Sequence, residues 1–207
     1  MPESAGAGQN MAMKISAEQI TAGILAGGEG RRLGGVDKGW YVVADRPLIE
    51  HTLERVKPQV GRIVISANRS VPRYRGLGYT VHGDDTDDHR GPLAGIATVL
   101  KAAATPYVLI VPVDTPLLPL DLVSRLADAM RPDTDIAVAR TPDELHPLHA
   151  LMRRSLLDDI QAALFSGVRR VTEWQQDTAR VVVDWADAEA FANINHDEDA
   201  EALAGRL

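Results

Sequence analysis

Apolar, β-branched runs alternate along this chain with stretches whose apolar residues recur at helical spacing. "ITAGIL" (20–25) predicts a short buried strand, and "LIEHTLERVKP" (48–58) predicts a helix that Pro58 stops. "RIVISA" (62–67) and "YTVH" (79–82) predict the second and third strands. "PLAGIATVLKAAA" (92–104) predicts a helix with Pro92 at its first position, where a missing N–H costs little. "YVLIVPV" (107–113) is almost wholly apolar, as a central parallel strand is. "LDLVSRLADAM" (120–130) is helical again, and "DIAVAR" (135–140) is a fifth strand.

Such alternation predicts an α/β protein, a Rossmann-like three-layer αβα sandwich around a mostly parallel sheet. The later part is less regular. "PLHALMRR" (147–154) reads as a strand, "SLLDDIQAALF" (155–165) as a helix and "RVTEWQQ" (170–176) as a short helix. "ARVVVDW" (179–185) reads as another strand and "HDEDAEALAGRL" (196–207) as a closing helix. No repeat, low-complexity tract or linker divides the chain, so a single domain is expected over residues 19–207. Residues 1–18 are expected to be a disordered lead-in: they lack the charged start and apolar middle of a signal peptide, and Met11 and Met13 offer alternative starts.

Composition narrows the chemistry. The 207 residues include no cysteine, which excludes disulfides, thiolate metal sites and a cysteine nucleophile. A net charge of −7 argues against general affinity for nucleic acid or anionic membranes. It leaves room for an anionic small substrate met by local basic residues and a metal ion. No apolar run is long enough to span a bilayer, and a cytoplasmic location is expected.

The first predicted strand runs into "LAGGEGRRLGGVDKG" (25–39). The dinucleotide fingerprint G-x-G-x-x-G fails here, because the register from Gly28 and Gly30 meets Leu33 where a glycine belongs. The P-loop fails too: Lys38 follows Asp37, and Gly39 stands where the hydroxyl should be. What remains is a glycine-rich loop carrying Arg31, Arg32 and Lys38. Its backbone N–H groups can approach phosphate oxygens, and its cations can neutralise them. Past the end of the most apolar strand stands Asp114, outside the carboxyl ends of the strands, where open α/β sheets bind ligands. It suits a magnesium ligand; the alternative is that it simply caps the next helix.

The glycine loop resembles the signature L-A-G-G-x-x-x-R-M-G-G-x-D-K of the molybdenum cofactor guanylyltransferase family, within the sugar-nucleotide-type nucleotidyltransferases. Leu33 replaces the usual methionine, a near-isosteric change. "GPLAGI" (91–96), "VPVDTPLLP" (111–119), "HPLHAL" (146–151) and "FANINHDEDA" (191–200) resemble further family blocks in the family's order. The resemblance therefore runs from Ile20 to the end of the chain.

It implies an enzyme that transfers GMP from GTP to the terminal phosphate of molybdopterin or the molybdenum cofactor, with loss of pyrophosphate. Mg²⁺ is the implied cofactor, with Asp114 as its ligand. Arg32, Lys38 and Asp114 are the implied catalytic residues. Leu25, Ala26, Gly27, Gly28, Lys38, Ser66, Asn68, Asp84 and Asp114 are implied to bind GTP. Cytidylyl-transferring relatives commonly show L-A-A-G, so Gly27 favours the larger purine. Ser66 stands where the family often has asparagine. Asn68, two residues on and on the same strand face, is the alternative. Asp84 is blurred by Asp85, Asp87 and Asp88, a cluster that also reads as solvated surface.

The acceptor is expected in the C-terminal half. "FANIN" as a strand aims Asn193 and Asn195 at one face, and Arg169 with Arg170 stands at a helix start, ready for the acceptor's phosphate. A turn or exposed edge, and a solvated basic pair, are the alternatives. His146 and His149, odd-spaced on a strand, are expected on opposite faces and without a shared metal. Molybdoenzyme maturation proteins stand as candidate partners. The competing readings are a cytidylyltransferase, a sugar-phosphate nucleotidyltransferase, or a nucleotide-binding partner protein without catalysis.

Overall fold

A computed structural model describes residues 14–27, 37–83 and 91–207. Ala17–Gln19 form a 3-10 turn, so the described fold begins just ahead of the boundary expected at residue 19. Strand β1 (Ile20–Leu25) is followed by a small hairpin, β2 (Val42–Val43) and β3 (Arg46–Pro47), and by helix α1 (Leu48–Val56). Then come β4 (Arg62–Ser66), α2 (Val71–Arg75), β5 (Thr80–His82), α3 (Pro92–Ala102) and β6 (Tyr107–Pro112). The second half runs α4 (Leu122–Ala129), β7 (Ile136–Arg140), β8 (Leu145–Arg153), α5 (Leu157–Phe165), α6 (Val171–Trp174), β9 (Arg180–Asp184) and α7 (Asp197–Ala204).

The main sheet has the order β5-β4-β1-β6-β8-β7-β9. All its neighbours pair in parallel except β8, which is antiparallel to both β6 and β7. This is the expected α/β sandwich with a mostly parallel sheet. Strand alternation loads both faces. On β6, Tyr107, Leu109 and Val111 join one apolar cluster with residues of α1 and α4, while Val108 and Ile110 join another with α3, α5 and α6. At Gly23 a Cβ would stand 2.3 Å from Val99 Cγ1, so glycine is what lets β1 and α3 approach so closely. A third, smaller cluster joins Val43 and Leu48 to Leu117, Ile194, Ala200 and Leu203, which anchors α7 against the hairpin.

Two departures from the sequence reading matter for the site. The β7–β8 ladder jumps from Val138↔Ala150 to Ala139↔His146, leaving residues 147–149 without partners. The bulge defeats the period-two reading of His146 and His149. Their rings lie on the same side, 5.6 Å apart and edge to face, both packed on Phe191. "FANIN" is also not a strand. Glu189–Phe191 form a 3-10 turn and residues 192–195 follow as irregular chain: the Ala192 N–H bonds back to Glu189 O, that of Ile194 to Asp114 O and that of Asn195 to the Asp199 side chain, none of them to a sheet neighbour. Among the described residues no helix is long and apolar enough to cross a membrane.

Candidate active site

Three strand ends converge at the carboxyl edge of the sheet. The backbone N–H of Ala26 donates to Ser66 O at 2.8 Å, and that of Val113 donates to Leu25 O at 3.1 Å. These bonds carry the β4-β1-β6 ladder one residue past the strands and fix Gly27 and Asp114 on either side of the β1 terminus. The loop holding Asp114 is tied on every side. Thr52 Oγ1 of α1 donates to Val113 O at 3.0 Å, Ile194 N donates to Asp114 O at 2.9 Å, and Thr115 Oγ1 donates to Pro112 O at 3.2 Å. Asp114 does not cap a helix: α4 begins eight residues later with Asp121 as its N-cap.

The Lys38 ammonium reaches this loop from a 3-10 turn, Lys38–Trp40. It forms an ion pair with Asp114 Oδ2 and donates to Asn195 Oδ1 at 2.7 Å. Asn195 is held in turn by the start of α7, where Asp199 Oδ2 accepts from the N–H groups of Asn195 at 2.7 Å and His196 at 2.9 Å. Those backbone donors hold the Asp199 carboxyl below its usual range, chiefly the N–H of Asn195. The other oxygen of Asp114, Oδ1, is buried with no partner among the described residues.

Behind Thr115 stands His149, fully buried, with Nε2 3.1 Å from Thr115 Oγ1. With the threonine proton directed at Pro112 O, we assign the proton of His149 to Nε2, which leaves Nδ1 as the buried, unpartnered nitrogen. Burial first, and His146 second, push its pKa down to about 3, so the ring is neutral. His146 bonds Thr141 Oγ1 at 3.0 Å, and burial lowers its pKa as well.

Of the sequence-predicted residues, Lys38, Asp114 and Asn195 therefore meet directly. Asn195, expected on the acceptor side, touches the lysine expected on the nucleotide side. Asn193 is exposed and shares no strand face with it. Leu25, Ala26 and Gly27 close β1 beside Asn68, whose Nδ2 is the only atom within 4 Å of a Cβ placed on Gly27 among the described residues, at 3.7 Å. Ser66 is buried beneath α3, where a Cβ on Gly95 would stand 3.2 Å from its Oγ, whereas Asn68 is half-buried at the open edge. Arg169 and Arg170 are exposed just ahead of α6; the Arg169 guanidinium donates to Leu164 O and Val168 O, both at 2.9 Å, closing the end of α5. Gly28, Arg31, Arg32 and Asp84 lie outside the described residues.

Thr52, Thr115, Asp199, Asp37 and Tyr74 support the site although the sequence assigned them no role, and His149, expected only as a strand residue without a metal, supports it through Thr115. Asp37 carries a local signal, an aspartate two residues before a glycine whose N–H it accepts, and so does Asp199, which accepts from the N–H groups of Asn195 and His196 at the start of α7. Thr52, His149 and Tyr74 contribute through contacts distant in sequence, and Thr115 through one near bond and one distant one.

A mostly parallel α/β sandwich with a lysine and an aspartate meeting at the carboxyl ends of its central strands has its polar cluster where open α/β sheets bind ligands. Residues 22–181 match the model of the MobA-like NTP transferase domain, and the chain belongs to that family. It is similar to the molybdenum cofactor guanylyltransferase of Polynucleobacter asymbioticus, 43% identical over 198 residues that cover 93% of this chain and 100% of the relative. The molybdenum cofactor guanylyltransferase of Shewanella woodyi is 42% identical over 188 residues, covering 90% of this chain and 96% of the relative. Among solved structures, the molybdopterin-guanine dinucleotide biosynthesis protein A of Archaeoglobus fulgidus shares the fold. Its TM-score is 0.73 at 22% identity, over 90% of this chain and 100% of that one.

Proposed function

We propose that this chain transfers GMP from GTP to the phosphate of molybdopterin or the molybdenum cofactor. The acceptor's phosphate oxygen forms a bond to the α-phosphorus of GTP. The bond from that phosphorus to the bridging oxygen breaks, and pyrophosphate leaves with the electron pair. The nucleophile is already anionic, so the chain needs no strong general base; its task is electrostatic.

The observation that carries this reading is the meeting of Lys38 with Asp114 and Asn195 at the sheet's carboxyl edge. Lys38 has three N–H donors, of which Asp114 and Asn195 take two, and we assign the third to a phosphate oxygen of the nucleotide. Asn195 then joins the acceptor's side of the site to the nucleotide's. Arg32 adds a second cation by resemblance alone. At Gly27 an added Cβ meets nothing closer than 3.7 Å among the described residues, so packing does not demand glycine there. The room it leaves is room for a purine, which favours GTP over CTP.

Asp114 fits a magnesium ion: its Oδ1 is a hard oxygen donor, buried and unpartnered among the described residues, beside the lysine. When bound, Mg²⁺ supplies charge neutralisation and alignment of phosphate oxygens. Asp114 would hold it, with Lys38 as the neighbouring cation.

Calorimetric titration with GTP, CTP and ATP, with and without Mg²⁺, tests this reading, followed by assay of labelled GMP transfer to molybdopterin. GTP-selective binding strengthened by Mg²⁺ and labelled dinucleotide product are expected. CTP selectivity would move the chain to the cytidylyl branch. Binding without transfer would make it a nucleotide-binding partner protein.

A further inference from the structure

Lys38 can meet a nucleotide phosphate in a fixed place only if its carrier turn is fixed, and that turn is short. It spans Lys38–Trp40, with Asp37 as its N-cap. Asp37 Oδ1 accepts from the Gly39 N–H at 3.2 Å and from the Tyr74 hydroxyl at 2.7 Å. Tyr74 comes from α2, an element outside the signature loop, and is fully buried. Its ring lies 5.0 Å from that of Trp40, and the Arg73 guanidinium covers the Trp40 ring at 3.8 Å. At Gly39, a Cβ would stand 2.2 Å from the Tyr74 hydroxyl oxygen, closer than any real contact. Glycine at 39 and the hydroxyl at 74 are thus complementary: the space left by one is filled by the other. Burial, and then Asp37, raise the phenol's pKa, so it stays a proton donor to the carboxylate.

We infer that Asp37 and Tyr74 are positioning residues for nucleotidyl transfer, a latch that fixes the turn carrying Lys38 so that its ammonium stands between Asp114 and Asn195. The inference rests on the proposed role of Lys38 at the nucleotide phosphates. A lysine on a flexible four-carbon stem is a mobile point charge. Locking its backbone from a neighbouring helix pre-organises that charge before substrate arrives. Tyr74 does this across 37 residues of sequence, from the helix that follows β4.

The test is a double-mutant cycle on the full chain, read by GTP calorimetry and initial rates. Tyr74→Phe keeps the ring and removes only the hydroxyl. It is expected to weaken GTP binding and lower kcat/KM for GTP by about tenfold, the effect of one lost hydrogen bond to a charged group, while the acceptor KM stays within about twofold. In a Lys38→Ala background the same change is expected to cost nothing more on GTP affinity, because the latch acts through the lysine. Gly39→Ala should be the more damaging variant, and Gly39→Ala with Tyr74→Phe should regain part of the loss, since the atom at 2.2 Å is gone and the next neighbours stand at 3.2 Å.

Additive losses with Lys38→Ala, or a Tyr74→Phe variant that lowers Tm alone, overturn the latch. Should Tyr74→Phe fail to fold, Asp37→Asn enters the same cycle. A wild-type chain that binds no nucleotide defeats the proposed function instead. Amide exchange of Gly39 and Trp40 then judges the latch by itself: Tyr74→Phe must speed it by about tenfold, and unchanged exchange overturns the latch.

Discussion

The two halves of the sheet solve the same problem by different means. From β5 to β6 every strand is parallel, and the residues we assign to the nucleotide lie just beyond strand ends: Gly27 after β1, Asn68 after β4, Asp114 after β6. Beyond β6 the sheet turns mixed. There the site depends on an antiparallel strand with a bulge, a buried histidine pair and an irregular segment that crosses back to Asp114. A repeated βα unit builds a ligand edge by rule, whereas the second half builds its share from long-range exceptions.

Changing pH probes the second half most strongly. His149 has a folded-state pKa of about 3 against an ordinary value of 6.5. Its neutral, buried form therefore contributes fully above pH 6.5, and that contribution is lost as pH falls from 6.5 towards 3, because the unfolded chain binds the extra proton. The whole window corresponds to a loss on the order of 4–5 kcal/mol. Urea unfolding at several pH values should show this slope, and His149→Leu should flatten it; equal slopes would mean the bulge histidine is not buried neutral.

In the first half, Asp114→Ala should cut GMP transfer by about a hundred- to a thousandfold with little change in Tm, measured by product formation and thermal melting. Asn195→Ala tests whether the halves are joined at Lys38. Losing a hydrogen bond to a charged group should cost about tenfold or more, seen both in GTP affinity and in acceptor KM. A change confined to the acceptor KM would separate the halves again. The smallest effect is expected at Gly27→Ala: roughly tenfold weaker GTP binding with CTP binding unchanged, read by calorimetry, as one methyl group takes up ligand space.

Legibility in the sequence followed the same divide. The parallel strands announced themselves because buried β-branched runs have no competing helical period, and "ITAGIL" matches β1 residue for residue. The α2 helix and the hairpin carried no such signal. The hairpin turns through Ala44 and Asp45, both at positive φ, where glycine or asparagine would have marked it. The histidine pair departs from alternation for one reason: strict alternation assumes an unbroken ladder, and the three unpaired residues 147–149 reverse the face. "FANIN" was misread because alternating amides look like a strand, while the segment is shaped by bonds to Asp114 and Asp199. The partners Thr115 and Tyr74 were invisible because nothing local distinguishes a positioning hydroxyl from an ordinary one.

The bond from Lys38 to Asn195 joins residues 157 positions apart. On a ribosome adding about 5 to 20 residues each second, the lysine emerges roughly 8 to 30 seconds before its amide partner. Through that interval β1, β4 and β6 can assemble, but the carboxyl edge lacks the strap that ends at α7. The nascent protein therefore cannot complete its lysine pocket until Asn195 has emerged, well after the strands that carry the lysine and Asp114.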